Sequence, residues 1–133
     1  MNQIDRLVEF EGLKLKPYRC SKGFLTIGIG RNLDTKGISE EEALFMLQND
    51  IDECNEDLKK IFPKWLEFSG GQRVALRDVR FNHGSKGFRL FKKMIKAIQD
   101  NDWEVAAKEL LDSVYAKKLP ERANANAELL KKG

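Results

Sequence analysis

Residues 11–30 read EGLKLKPYRCSKGFLTIGIG and set the architecture that we predict for the whole chain. Two short runs rich in apolar and β-forming residues, Leu13 to Tyr18 and Phe24 to Ile29, flank the turn residues Ser21-Lys22-Gly23. Two such runs joined by a short segment that contains glycine are typical of a β-hairpin. Glycines at positions 23, 28 and 30 also disfavour a helix here. The stretch therefore predicts a small antiparallel sheet.

A first helix is predicted immediately before this sheet. Asn2 is a suitable amino-terminal cap, and the apolar residues at positions 4, 7 and 8 share one helical face. Gly12 stands where a residue in the left-handed conformation would end the helix. This places Glu11 in the last helical turn, next to the loop that leads into the sheet.

Longer helices are predicted after the sheet. Ser39, followed three residues later by Glu42, is a capping box that opens a long helix reaching about Lys60. Beyond that helix, the apolar spacing predicts helices at Gln72 to Asn82, Phe88 to Gln99 and Trp103 to Tyr115, and a last one from about Pro120.

These elements together predict an α+β fold that is mostly helical. We expect a single domain over residues 1–133, with a small β lobe at about 12–38 and a helical lobe that combines 1–11 with 39–133. A cleft for an extended ligand would form where two such lobes, joined by a long helix, meet.

The composition is that of an ordinary globular protein. Charged residues make up 34% of the 133 residues and the net charge is only +3, which excludes a disordered or strongly polyelectrolytic chain. Ten basic residues crowd the second half, and they indicate either a solvated helical surface or attraction to an anionic polymer. They are Lys86, Arg89, Lys92, Lys93, Lys96, Lys117, Lys118, Arg122, Lys131 and Lys132.

Cysteine usage and hydropathy bear on where the protein works. Cys20 and Cys54 are too few for a disulfide framework, and we expect free thiols in a reducing compartment. The segment MNQIDR lacks a basic region followed by an apolar run, and no stretch approaches the roughly 18 apolar residues of a membrane span. We therefore expect cytoplasmic accumulation without stable membrane insertion.

His83 is the single histidine and has no nearby cluster of ligands, so we expect no metal.

The spacing Glu11-x8-Cys20-x5-Thr26 places an acid, a thiol and a hydroxyl on a segment that folds back on itself. This spacing, with the run TIGIGRN at 26–32, resembles the E-x8-(D or C)-x5-T pattern of phage-type lysozymes. These are the endolysin muramidases of glycoside hydrolase family 24. The resemblance implies a lysozyme-like fold and a monomer that cleaves the β-1,4 bond between N-acetylmuramic acid and N-acetylglucosamine in bacterial peptidoglycan. It implies no cofactor, and action at host lysis in the phage lytic cycle after a holin gives access to the wall.

The resemblance implies catalytic roles for Glu11, Cys20 and Thr26. Glu11 would donate a proton to the leaving oxygen. A thiol is mostly neutral at neutral pH unless positive charge, here that of Arg19 or Lys22, lowers its pKa. Its thiolate could deprotonate a water and give inversion, or attack the anomeric carbon and form a covalent intermediate. The resemblance favours the first course, with Thr26 aiming the water; the plain alternative for Cys20 is a small buried apolar residue.

Two supporting ion pairs are also implied by the resemblance. Arg122, in the run PERA at 120–123, corresponds to an arginine that pairs with the catalytic Glu11 and helps to position it. Arg31 stands where many members of the family carry histidine, and Asp50 on the long helix is its expected partner. Two exposed arginines without a functional role are the plain alternative.

Substrate contacts are expected from two further residues. Phe81, in the run FNHG at 81–84, corresponds to a phenylalanine that borders the sugar-binding cleft, although a core position would explain it equally well. Asn32 closes the TIGIGRN run and is assigned to substrate binding by the same resemblance.

Arg77 and Arg80 depart from the family pattern, because relatives usually have core-facing apolar residues at these positions. A buried, unpaired arginine is energetically expensive. Each side chain must therefore reach an acid such as Asp78 or Glu67, or lie on an exposed face.

Two other functions remain open at this level. A lytic transglycosylase would cleave the same bond with the muramyl 6-hydroxyl in place of water, but Thr26 and a second catalytic side chain favour hydrolysis. A non-catalytic domain that binds the wall or nucleic acid would agree with the basic second half, but it has no need of the Glu11, Cys20 and Thr26 constellation. We expect peptidoglycan, and not nucleic acid, as the partner.

Overall fold

The computed structural model describes residues 2–133 and has the α+β, mostly helical fold that the sequence predicts. Contacts group the residues up to Met46 into one unit and Leu47–Gly133 into a second unit. The elements are α1 Gln3–Glu11, β1 Lys14–Arg19, β2 Leu25–Gly28, β3 Arg31–Asn32, α2 Glu40–Ile61, a 3₁₀ turn Trp65–Glu67, α3 Gly70–Arg89, α4 Lys92–Gln99, α5 Trp103–Leu111, α6 Val114–Lys118 and α7 Pro120–Lys132.

Helix α1 begins and ends where the sequence predicts. The side chain of Asn2 accepts a hydrogen bond from the backbone N–H of Asp5 at 2.9 Å, which satisfies one free donor of the first turn. Gly12 ends the helix at φ 78°, and its N–H donates to the carbonyl of Val8 at 2.8 Å. Glu11 is thereby fixed as the last helical residue.

The sheet has three antiparallel strands in the order β1-β2-β3. Tyr18 on β1 and Asn32 on β3 lie opposite Thr26 on the central strand. The predicted hairpin is confirmed, with Cys20 at the start of its turn. Strand β3 was not predicted, because two residues between turns carry no alternating pattern that could reveal a strand.

The capping box of α2 is confirmed. Glu42 N–H donates to Ser39 Oγ at 3.1 Å, and Ser39 N–H donates to Glu42 Oε1 at 2.9 Å. The helix continues to Ile61, one residue beyond the predicted end.

The second unit is built on one apolar core. Phe62 and Phe88 meet edge to face with ring centroids 6.3 Å apart, and both are almost fully buried. The other fully buried large side chains are Leu58, Leu76, Val79, Met94, Leu110 and Leu130.

Two predicted helix boundaries in this unit are wrong. The helix predicted at Phe88 to Gln99 is divided, because α3 continues to Arg89 and α4 starts at Lys92. The helix predicted at Trp103 to Tyr115 is also divided, because the Ser113 side chain accepts a hydrogen bond from the N–H of Ala116 and starts α6. Helix α3 bends at Gly84, whose φ of 75° lies in the left-handed region.

Arg80 is buried, and it reaches an acid as expected, although not one of those named above. Its Nε donates to Asp57 Oδ2 at 2.6 Å, and only 6% of Arg80 is exposed. Arg89 donates to the same carboxylate, and the hydrogen bonds from Arg89 and Arg80 hold the pKa of Asp57 well below its usual range. Arg77 instead donates to the amide oxygen of Asn55 at 3.2 Å.

No helix within residues 2–133 has the length and apolar composition needed to cross a bilayer.

Candidate active site

Cys20 lies at the end of β1, in the turn that leads to β2. Its N–H donates to the carbonyl of Phe24 at 3.0 Å, and its own carbonyl accepts from the N–H of Gly23 at 2.8 Å. The thiol is a free, half-buried group. Backbone hydrogen bonds, from Lys22 first and then Phe24, lower the pKa of the Cys20 thiol, and the side chain of Thr26 adds to this effect. The turn therefore favours the thiolate.

The charge of Arg19 contributes less to this thiolate than the sequence suggests. The guanidinium donates to the carbonyl of Gly23 at 3.2 Å and lies 3.6 Å from Asp34 Oδ2. Asp34 also accepts the N–H of Leu25 at 2.7 Å. Asp34 was not singled out from the sequence, since an acidic residue in a polar turn carries no distinctive pattern. It pairs the charge of Arg19 and fixes the start of β2.

Thr26 is the central residue of the sheet and is only 4% exposed. Its hydroxyl donates to the carbonyl of Phe24 at 2.8 Å. The same side chain is one of the lesser causes that lower the pKa of the Cys20 thiol. The structure thus brings Cys20 and Thr26 together, as the spacing predicts.

Glu11 is exposed at the end of α1, and its carboxyl lies against the turn between β2 and β3. A Cβ atom added at Gly30 would lie only 2.5 Å from Glu11 Oε2. Gly30 also has φ 68°, a conformation that other residues seldom adopt. Glycine at position 30 therefore suits the backbone conformation and also leaves room for the Glu11 carboxyl beside it. No pattern in the sequence indicates this second role of Gly30.

The acidic partner of Arg31 is Glu42, and not Asp50 as predicted from the sequence. Arg31 Nη1 donates to Glu42 Oε1 at 2.8 Å and to the carbonyl of Gly37 at 3.2 Å. The hydrogen bond from Arg31, with that from the backbone of Ser39, lowers the pKa of Glu42 to about 2. Glu42 is closer along the chain than Asp50 and is held towards Ser39 by the capping box, so its carboxylate is preorganised for this pair.

Arg122 forms its ion pair with Asp78, and not with Glu11 as predicted from the sequence. Its Nε and Nη2 donate to the two oxygens of Asp78, each at 2.8 Å. Asn126 donates to the same carboxylate at 2.8 Å and to the hydroxyl oxygen of Tyr115 at 3.1 Å. These donors, Arg122 first, lower the pKa of Asp78. The planar guanidinium fits a carboxylate in two-point geometry, and Asp78 supplies one from the neighbouring helix.

The remaining predicted residues lie in different surroundings. Asn32 accepts the N–H of Thr35 at 3.0 Å through its side chain and so stabilises the turn after β3. Phe81 is 46% exposed and lines a cavity of about 310 Å³ in the second unit. Asp50 is exposed on α2. Their roles in substrate binding or support stay predictions.

Within residues 2–133, no group of three or more His, Cys, Asp or Glu side chains is arranged to hold a metal ion. The first unit instead combines a carboxylic acid at a helix end with a thiol and a hydroxyl in hydrogen-bonding reach of each other. An acid and an activated thiolate are suited to proton transfer to a leaving group and from a water molecule.

The chain matches the phage lysozyme family over residues 8–126, a range that includes Glu11, Cys20 and Thr26. It therefore belongs to the phage lysozyme family, a class of glycoside hydrolases.

Three relatives illustrate the breadth of this family. The chain is 27% identical to the pre-baseplate central spike protein Gp5 of Enterobacteria phage T4, over 93% of the chain but only 26% of the spike protein. It is 27% identical to a Dictyostelium discoideum protein named "Probable T4-type lysozyme 2", covering 90% of the chain and 88% of that protein. It is 28% identical to "Probable T4-type lysozyme 1" of the same organism, and this match covers 97% of the chain and 93% of that protein.

Proposed function

We propose that the protein is a muramidase that hydrolyses the β-1,4 bond between N-acetylmuramic acid and N-acetylglucosamine in bacterial peptidoglycan. The observation that supports this best is the Cys20 thiol, whose pKa is lowered by backbone N–H groups and by Thr26 in the same unit that carries Glu11. Membership of the phage lysozyme family supports the choice of substrate.

In the proposed reaction, Glu11 gives its proton to the glycosidic oxygen as the bond to the anomeric carbon breaks. A water molecule, aimed by the Thr26 hydroxyl, adds its oxygen to the anomeric carbon and gives a proton to the Cys20 thiolate. One water is consumed, and the wall strand gains a new reducing end. Proton exchange with solvent then restores the acid and the thiolate. Cys20 in this proposal takes the role that aspartate has in many relatives.

The biological setting that we propose is host lysis in the phage lytic cycle. The enzyme accumulates in the host cytoplasm as a monomer and reaches the wall after a holin opens the membrane.

The proposal is tested by the release of reducing ends from purified peptidoglycan, with reductant present to keep Cys20 as a free thiol. We expect Glu11→Gln to lower the rate by at least about 10²-fold, the typical contribution of a general acid. Glu9→Gln, an exposed substitution on the same helix, is the matched control and should keep the activity of the wild type.

Other outcomes would assign a different function. Anhydromuramic ends without reducing muramic ends would identify a transglycosylase. Binding to the wall without any product, in the wild type and in both variants, would leave a non-catalytic wall-binding domain and overturn the muramidase proposal.

A further inference from the structure

The loop of residues 20–24, which carries the Cys20 thiol, is closed by a carboxylate from outside it. Asp34 Oδ2 accepts the backbone N–H of Leu25, the first residue of β2, at 2.7 Å. The same oxygen lies 3.6 Å from Nη1 of Arg19, the last residue of β1. That nitrogen also donates to the carbonyl of Gly23 inside the loop at 3.2 Å. Asp34 therefore connects the two strand ends between which the loop lies.

Asp34 is itself held in place by its neighbours in the chain. The N–H of Leu33 donates to the carbonyl of Leu25 at 2.7 Å, and the N–H of Thr35 donates to the side chain of Asn32 at 3.0 Å. The residues before and after Asp34 are thus both hydrogen-bonded. Because this backbone is already ordered, the bond from Leu25 to the Asp34 carboxylate has little conformational entropy left to overcome.

The two contacts of the Asp34 carboxylate differ in strength. The side chains of Arg19 and Asp34 are 68% and 43% exposed, and an ion pair exposed to this extent contributes little. The bond from the N–H of Leu25 is short and has a charged acceptor, and such bonds are roughly twice as strong as those between neutral groups. Asp34 therefore holds the loop mainly as a hydrogen-bond acceptor for Leu25.

The geometry of this loop favours the thiolate of Cys20. The N–H of Cys20 and the hydroxyl of Thr26 both donate to the carbonyl of Phe24, at 3.0 Å and 2.8 Å. Hydrogen bonds, that of the Lys22 backbone first, lower the pKa of the Cys20 thiol, and no neighbouring charge is among the causes. Hydrogen bonds weaken steeply when their direction changes. A loop released at Leu25 would therefore favour the thiolate less.

We propose that Asp34 is a positioning residue, which fixes the 20–24 loop through Leu25 and so holds Cys20 and Thr26 in the arrangement that the reaction needs. Its effect on the turnover rate rests on the proposed function, whereas its effect on the thiol does not. The sign of that effect is diagnostic. The charged side chains at this loop are Arg19, Lys22 and Asp34. An acid acting by charge alone disfavours a nearby thiolate, so its removal would speed alkylation at neutral pH, whereas loss of a positioning residue raises the pKa of Cys20 and slows it.

The first test follows the pH dependence of Cys20 alkylation by iodoacetamide, which needs no turnover. Asp34→Ala removes both the charge and the acceptor, whereas Asp34→Asn keeps an amide oxygen that can accept the N–H of Leu25. We expect Asp34→Ala to slow alkylation at neutral pH by about tenfold, a usual value for a hydrogen bond to a charged group. Its rate should approach that of the wild type at alkaline pH. Asp34→Asn should lose no more than about threefold.

Two variants serve as matched controls. Asp5→Asn removes an exposed acid from the same unit, and Gly28→Ala strains the backbone of that unit at φ 71° without removing a contact of the loop. Both should keep the alkylation profile of the wild type. The second control separates loss of stability from loss of positioning.

The kinetic test measures reducing-end release at neutral pH. Asp34→Ala should lower kcat by about tenfold, in proportion to the lost thiolate, with KM unchanged. Slower alkylation of Asp34→Ala, in a protein whose wild type releases no sugar ends, would support the positioning of the thiol by Asp34 and refute the muramidase. Unchanged or faster alkylation of Asp34→Ala, an equal loss in Asp34→Asn or Gly28→Ala, or an effect on KM alone would overturn the role of Asp34.

Discussion

Replacing Gly30 by alanine should separate the effect of backbone strain from the effect on the Glu11 carboxyl. Gly30 and Gly28 lie two residues apart with φ 68° and φ 71°. Alanine at either position costs about 1–2 kcal/mol of folding free energy, because Cβ meets the following carbonyl oxygen in this region. Only at position 30 does the new Cβ also meet Glu11 Oε2, at 2.5 Å, whereas nothing lies within 4 Å of the Cβ at position 28.

The clash sets the size of the expected effect on activity. An ordinary van der Waals contact begins at 3.4 Å, so the Glu11 oxygen must retreat from 2.5 Å to 3.4 Å, a shift of about 0.9 Å. Because the carboxyl is the flexible end of an exposed side chain, this shift adds little to the loss of stability. A misplacement of about 1 Å in a catalytic group lowers the rate by about 10²-fold. We therefore expect Gly30→Ala to lose about 10²-fold in kcat.

Gly28→Ala serves as the control in both assays. Urea unfolding should show equal losses of stability for the two variants, and reducing-end release should show near wild-type activity for Gly28→Ala alone. Equal activities for the two variants, within about threefold or ~0.7 kcal/mol, would refute the placement of the Glu11 carboxyl at this turn.

Two further predictions concern the thiols and the buried charges. Cys20 should react with iodoacetamide well before Cys54 in the native protein. The pKa of Cys20 is lowered, whereas burial raises the pKa of Cys54, which is only 2% exposed. Peptide mass spectrometry measures both alkylation rates, and comparable rates would contradict the described turn around Cys20. Asp57→Asn should destabilise the second unit by about 3–5 kcal/mol in urea unfolding, because it leaves the buried Arg80 without its carboxylate. Glu53→Gln, whose carboxylate is 76% exposed and 3.8 Å from Arg80, should change stability by less than about 1 kcal/mol, and similar losses for both would refute the network.

The sequence predicts well what is local along the chain. The Asn2 cap, the end of α1 at Gly12 and the capping box of Ser39 and Glu42 all depend on residues within a few positions of one another, and all are confirmed. Motif spacing also predicts that Cys20 and Thr26 meet, since a hairpin turn of known length determines which residues face each other.

Side-chain partners were predicted less well, because several acids compete for each arginine. Arg31 pairs with Glu42, and Arg122 with Asp78, since these carboxylates are already held in place by neighbouring backbone or amide groups. The breaks between α3 and α4 and between α5 and α6 were also missed, because the helical spacing of apolar residues continues across them. Ser113 interrupts the predicted helix there, but the same apolar face continues on either side of it, so the pattern alone shows no break.

The pairing pattern of the chain also determines the order in which its parts can be completed during synthesis. The sheet joins consecutive strands, and the Arg31 to Glu42 hydrogen bond spans only 11 residues, so these contacts can form as soon as Glu42 has left the ribosome. The second unit is closed across much longer separations, 44 residues for Asp78 with Arg122 and 58 for the Gln72 side chain with the carbonyl of Leu130. Contacts between distant residues form late, because the intervening chain must first be ordered. The nascent chain thus acquires its acid, thiol and hydroxyl early, while the buried face of α3 stays uncovered until α7 emerges.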